Sequence, residues 1–149
     1  MIQRLPRRYP EKGLMTSVST RSEFERILEA DRAIIFIEFD WSGQSRLSAA
    51  VVAEWERTAN VWDLNELVFK IRPDELLVAA DWMKEQGKIS GEGGHGSLVW
   101  LRSGVVIDYE PYVVGAGLRD ISQRTRVAFE MKVGPKPVPS PMWDKDLDL

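Results

Sequence analysis

The chain contains no cysteine among its 149 residues and only one histidine, His95. No dithiol, thiolate nucleophile, thiolate-held metal or iron–sulfur cluster can be built without cysteine. A lone histidine is a poor basis for a tightly held transition metal, so neither metal nor cofactor is expected. Long apolar runs are missing too, which excludes a membrane-spanning helix and leaves Arg7-Arg8 without the apolar region of an export signal. A cytoplasmic protein with no membrane partner is the default expectation. The formal net charge is −3, which argues against nucleic acid, whose phosphates need a basic surface. Positive charge is concentrated near the start, where Arg4, Arg7, Arg8 and Lys12 face a single acid, Glu11.

What is present reads as one α/β domain between two less regular ends. Residues 1–19, with Pro6 and Pro10, read as an arm whose end holds a short strand. Thr20-Arg21-Ser22-Glu23 has the spacing of a capping box and opens a helix over 20–30. Residues 33–39 are nearly continuous in β-formers, the pattern of a strand covered on both faces. Leu47, Val51, Trp55 and Thr58 give helical spacing over 45–60, and 67–71 form a second strand. Pro73-Asp74-Glu75 is expected to open a third helix, packed through Leu76, Leu77, Ala80 and Met83 and stopped by Gly87. After a glycine-rich loop at 91–96, strands at 97–101 and 105–109 are joined by the turn Arg102-Ser103-Gly104, with Pro111 marking an edge strand. A last helix is expected over 118–132. Residues 133–149 differ again: Pro135, Pro137, Pro139 and Pro141 alternate, favouring an extended path, before Trp143 and an acidic stretch. The domain therefore spans 20–132, with a proline-rich and then acidic tail.

Two stretches carry a resemblance. A buried strand runs into Phe39-Asp40-Trp41-Ser42-Gly43-Gln44-Ser45, and Gly96-Ser97-Leu98-Val99-Trp100-Leu101 later precedes a turn ending at Gly104. In position and order these resemble the thioredoxin family, whose turn reads Trp-Cys-Gly-Pro-Cys and whose second landmark is a cis-proline before a strand. The resemblance implies a three-layer fold, with a mixed central sheet, a C-terminal antiparallel hairpin and flanking helices. It also implies lost chemistry. Ser42 and Ser45 stand at the cysteine positions, Gly96 at the proline and Phe36 at the buried acid. A serine hydroxyl cannot form a disulfide, and a helix N-terminus cannot ionise it at neutral pH.

Three functions remain open. The retained frame suggests a protein- or peptide-binding module using Trp41, Ser42, Gly43, Gln44 and Ser45 with Gly94, His95, Gly96 and Ser97, the loop backbone pairing with an extended segment. Alternatively, Ser42 and His95 are candidate catalytic residues of a small enzyme, or bind glutathione or another anion at a helix N-terminus, with Asp40 or Glu92 orienting the imidazole. Against that, serine is a favoured helix cap, and Ser42 or Ser45 is expected in that role. Self-association through the tail or a sheet edge, giving a homo-oligomer, is the third. The glycine-rich loop lacks the Lys-Ser/Thr of a phosphate-binding loop. Trp55 and Trp100 are expected in the core, Trp41 partly exposed, and Trp62, Trp82 and Trp143 in polar surroundings. The peptide before Gly96 is expected to be trans, because a non-proline cis bond costs about 3 kcal/mol.

Overall fold

The computed structural model describes residues 15–39, 41–58, 68–87, 89 and 95–132. Trp62, Trp143, Asp40, Glu92, Gly94, most of the arm and the whole tail lie outside the described residues. The elements are β1 (Thr16–Ser17), α1 (Arg21–Glu29), β2 (Arg32–Ile37), α2 (Gly43–Thr58), β3 (Val68–Ile71), α3 (Leu77–Gln86), β4 (Ser97–Arg102), β5 (Val105–Glu110), α4 (Val113–Ala116) and α5 (Leu118–Ala128).

The sheet order is β1-β3-β2-β4-β5. β2 lies at its centre, parallel to β3 and antiparallel to β4. Its side chains alternate between two cores, which is why the run shows no polar face. Ile34 and Phe36 join Val51, Trp55, Trp100 and Ile121 on one side. Ala33, Ile35 and Ile37 join Phe24, Ala79, Trp82 and Val99 on the other. α2 and α5 therefore cover one face and α1 and α3 the opposite one, giving the three layers expected. The short strand at the end of the arm is β1, paired with β3.

Helix boundaries follow their caps. Thr20 Oγ1 accepts from Glu23 N–H, and the Glu23 carboxylate accepts from Thr20 N–H, closing the capping box. The last helix stops at Ala128, short of the expected 132, because Glu130 takes a left-handed φ of 54°. Its N–H reaches Val127 O, and Met131 N–H reaches Arg126 O, so the final carbonyls are satisfied by the reversing chain.

Four expectations about α2 and α3 need correction. Residues 73–75 form a turn, closed by Glu75 N–H on Arg72 O, and the helix begins only at Leu77. The buried stripe of α3 is Leu76, Ala79, Trp82 and Met83, while Leu77 points to solvent. Trp82 is thus a core residue, edge-on to Phe24 at 5.6 Å between ring centroids. On α2, Leu47 is 49% exposed and Ser48 takes the packed position instead. Ser48, Val51, Val52 and Trp55 recur at i, i+3, i+4 and i+7 and form the buried face of the helix, which leaves Leu47 off it.

Candidate functional site

β2, β4 and β5 all bring chain to one end of the sheet, where β2 leads into α2 and the glycine-rich loop leads into β4. Trp41 sits in that turn with 64% of its surface exposed, tilted against Phe39 at 5.6 Å. The three serines that follow at spacing three, Ser42, Ser45 and Ser48, are buried, and each hydroxyl has a structural partner. Ser42 Oγ accepts from the Ser45 N–H at 3.2 Å, a helix-capping bond. Ser45 Oγ accepts from Phe39 N–H at 2.9 Å, tying the strand exit to the helix. Ser48 Oγ donates to His95 O at 2.7 Å, tying the loop to the helix.

The loop is drawn in tightly. Gly96 has φ +92°, and a β-carbon on it would lie 2.4 Å from Ser48 Cβ. No cis peptide occurs among the described residues, in keeping with the trans bond expected before Gly96. Gly96 O accepts from Val113 N–H at 3.1 Å, and Ser97 Oγ donates to Pro111 O at 3.2 Å. Both loop carbonyls, of His95 and Gly96, therefore already serve the domain's own contacts.

The His95 ring lies over the first turn of α2. Its Nδ1 is hydrogen-bonded to Gln44 Oε1, and its ring lies 5.3 Å from that of Tyr112. With the amide oxygen accepting, Nδ1–H is the donor in this bond. Among the described residues no hydrogen bond joins Ser42 to His95. The structure thus brings Gln44, His95 and Tyr112 together beside a buried serine frame, with Trp41 exposed in the turn that precedes it. Ser48 and Tyr112 were not singled out from sequence. Ser48 continues the three-residue spacing of Ser42 and Ser45, a signal that could have found it; Tyr112 carries no such signal.

Phe36 is fully buried in the core beneath α2. Glu56, on α2 itself, is a buried acid of another kind: both carboxylate oxygens lack any hydrogen-bond partner, and burial pushes its pKa up to about 8. Among the described residues no group of acids and histidine is placed to hold a metal ion. No helix among them is long and apolar enough to cross a membrane.

In sequence the chain matches no protein-family model and no curated protein. In structure it is similar to solved proteins that include the following. A protein with a thioredoxin fold superposes with a TM-score of 0.58 at 10% identity, over 76% of this chain and 96% of that one. The thioredoxin of Malassezia sympodialis gives 0.54 at 16% identity, over 80% and 91%. The thioredoxin of Fasciola hepatica gives 0.51 at 16% identity, over 74% and 98%. The fold is thioredoxin-like, in a chain that contains no cysteine.

Proposed function

We propose that this domain is a non-redox binding module that recognises a protein or peptide segment through the rim formed by Trp41, Gln44, His95 and Tyr112. Thiol–disulfide exchange proceeds through a thiolate, and this chain has none to offer. The carrying observation is the exposure of Trp41 beside a frame whose serine hydroxyls are all hydrogen-bonded. A large aromatic held on a rigid support, at low entropic cost, is the residue type that dominates binding hot spots. Because the carbonyls of His95 and Gly96 are engaged within the domain, side chains rather than strand addition to this loop carry recognition.

The test is selection of peptides from a displayed library on the immobilised full chain. Enriched peptides are expected to bind the wild type and to weaken about tenfold or more with Trp41→Ala, the range of a hot-spot truncation. Failure to enrich any peptide, or equal binding to both proteins, rules this surface out.

A further inference from the structure

The exposed rim raises the question of what covers it, and the chain itself supplies a segment of suitable chemistry. Residues 133–149, outside the described residues, carry Pro135, Pro137, Pro139 and Pro141, then Trp143, Asp144 and Asp146. We propose that this tail docks in cis across Trp41, Gln44, His95 and Tyr112 as an extended, polyproline II segment. The proposal rests on reading that rim as a peptide-binding surface and names its first occupant.

Three observations favour the tail. The first is surface chemistry. Proline-rich segments bind aromatic-lined surfaces and lose little conformational entropy in doing so. Here Trp41 and Tyr112 (36% exposed) supply the aromatic faces, and Leu47 extends the apolar surface one turn along α2 from Gln44. The second is charge. The first turn of α2 carries no acidic residue. A helix N-terminus left without an acid complements the aspartates that follow Trp143.

The third is reach. The described chain ends at Lys132, just beyond α5, and Arg32 Nη2 donates to Phe129 O at 3.1 Å. That bond fixes the end of α5 beside the start of β2, whereas β2 runs toward Trp41. A tail docked at Trp41 therefore has a path of about 20 Å to cover, at the rise of a six-residue strand. At about 3.1 Å per residue of polyproline II, Trp143 lies up to ~34 Å from Lys132. The prolines can thus span the side of the domain and leave Trp143 and its aspartates at the rim.

The absence of cysteine makes the experiment clean, since one introduced thiol is unique. The full chain with Ser140→Cys carries a nitroxide label, and isotope-labelled amide and indole signals are compared with the label oxidised and reduced. Docking in cis predicts loss of signal at the Trp41 indole, Gln44, His95 and Tyr112, unchanged on dilution. It also predicts no loss when labelled tails are on separate molecules from the observed domains. Trp143→Ala, a tail change that leaves the domain intact, should restore those signals. Loss elsewhere on the surface, loss only between molecules, or no loss overturns the proposal. If peptides still bind in a Trp41-dependent way in that event, the tail alone is refuted and the binding surface stands.

Discussion

Gly96 and Ser48 approach so closely that a β-carbon on the glycine would lie 2.4 Å from the serine's own. The same glycine has φ +92°, where side chains are strained in any surroundings. Gly96→Ala should therefore combine a clash with backbone strain and destabilise by about 2–4 kcal/mol. Ser48→Gly in the same chain removes the two closest contacts but leaves Ser45 Cα at 3.2 Å and the strain, so the double variant should recover only part of the loss. Chemical denaturation of the four proteins measures this. Full recovery would show that neither the backbone conformation nor the remaining contact with Ser45 costs stability.

The serines at the cysteine positions make a second prediction. Ser45 Oγ satisfies the part-buried Phe39 N–H, and Ser42 Oγ satisfies the Ser45 N–H. Ser45→Ala should cost about 1–2 kcal/mol by orphaning a backbone donor. Ser42→Ala should cost about 1 kcal/mol as a lost cap. Amide exchange localises the effect: the Phe39 amide should exchange faster in Ser45→Ala than in Ser42→Ala. Equal rates would mean that Ser45 does not anchor the strand exit.

These local bonds also mark how far the sequence could be read. The run through Ile34-Ile35-Phe36-Ile37 announces a strand buried on both faces, and Thr20 with Glu23 announces a helix start, because both signals are local. α3 was harder: Leu76, Leu77, Val78 and Trp82 are all apolar, so periodicity alone does not say which face packs, and only contact with Phe24 decides it. α4 is four residues long, too short for any period. The site was legible as a place, since the thioredoxin resemblance put the turn at 41–45 opposite the loop at His95. Its bonding was not legible, because the contact between Gln44 and His95 joins residues 51 positions apart. Nor do Ser48 and Val113 announce in the sequence that they bond the carbonyls of His95 and Gly96.

A third prediction concerns Arg124, which staples α5 to the edge strand. Its guanidinium meets Asp108 in a fork, Nε to Oδ2 at 2.9 Å and Nη2 to Oδ1 at 3.0 Å. It also donates to Glu110 and to Tyr109 O, and lies 5.2 Å from the Trp100 ring centroid. The register of β5 shifts between Trp100 and Leu101, a bulge that aims Asp108 and Glu110 at this arginine. These hydrogen bonds, Asp108 first, hold the arginine pKa above its ordinary value. The group is partly solvent-exposed, which discounts its electrostatics, so Arg124→Met should cost about 2–3 kcal/mol. Arg124→Lys should recover little, since an ammonium cannot form the two-pronged contact. A lysine variant as stable as wild type would assign the site to charge alone.

Glu56 gives the last prediction, in the opposite direction. Its carboxyl is buried on α2 with neither oxygen hydrogen-bonded, and burial raises its pKa from 4.5 to about 8. A raised carboxyl pKa means that the folded state holds a proton which the unfolded state releases. The stability associated with that proton is fully present below about pH 4.5 and is lost as pH rises through 8. At neutral pH the side chain is therefore a neutral acid whose desolvation nothing offsets. Glu56→Leu should stabilise the domain at pH 7 by on the order of 1–3 kcal/mol, because it replaces an unpaired polar group with an apolar one of similar size. It should also flatten the decline in stability between pH 5 and pH 9, while Glu56→Gln should flatten that decline without the same gain, since its amide remains unpaired. Thermal unfolding of the three proteins across that pH range decides the matter. A wild-type profile parallel to both variants would mean that Glu56 is solvated or paired in solution.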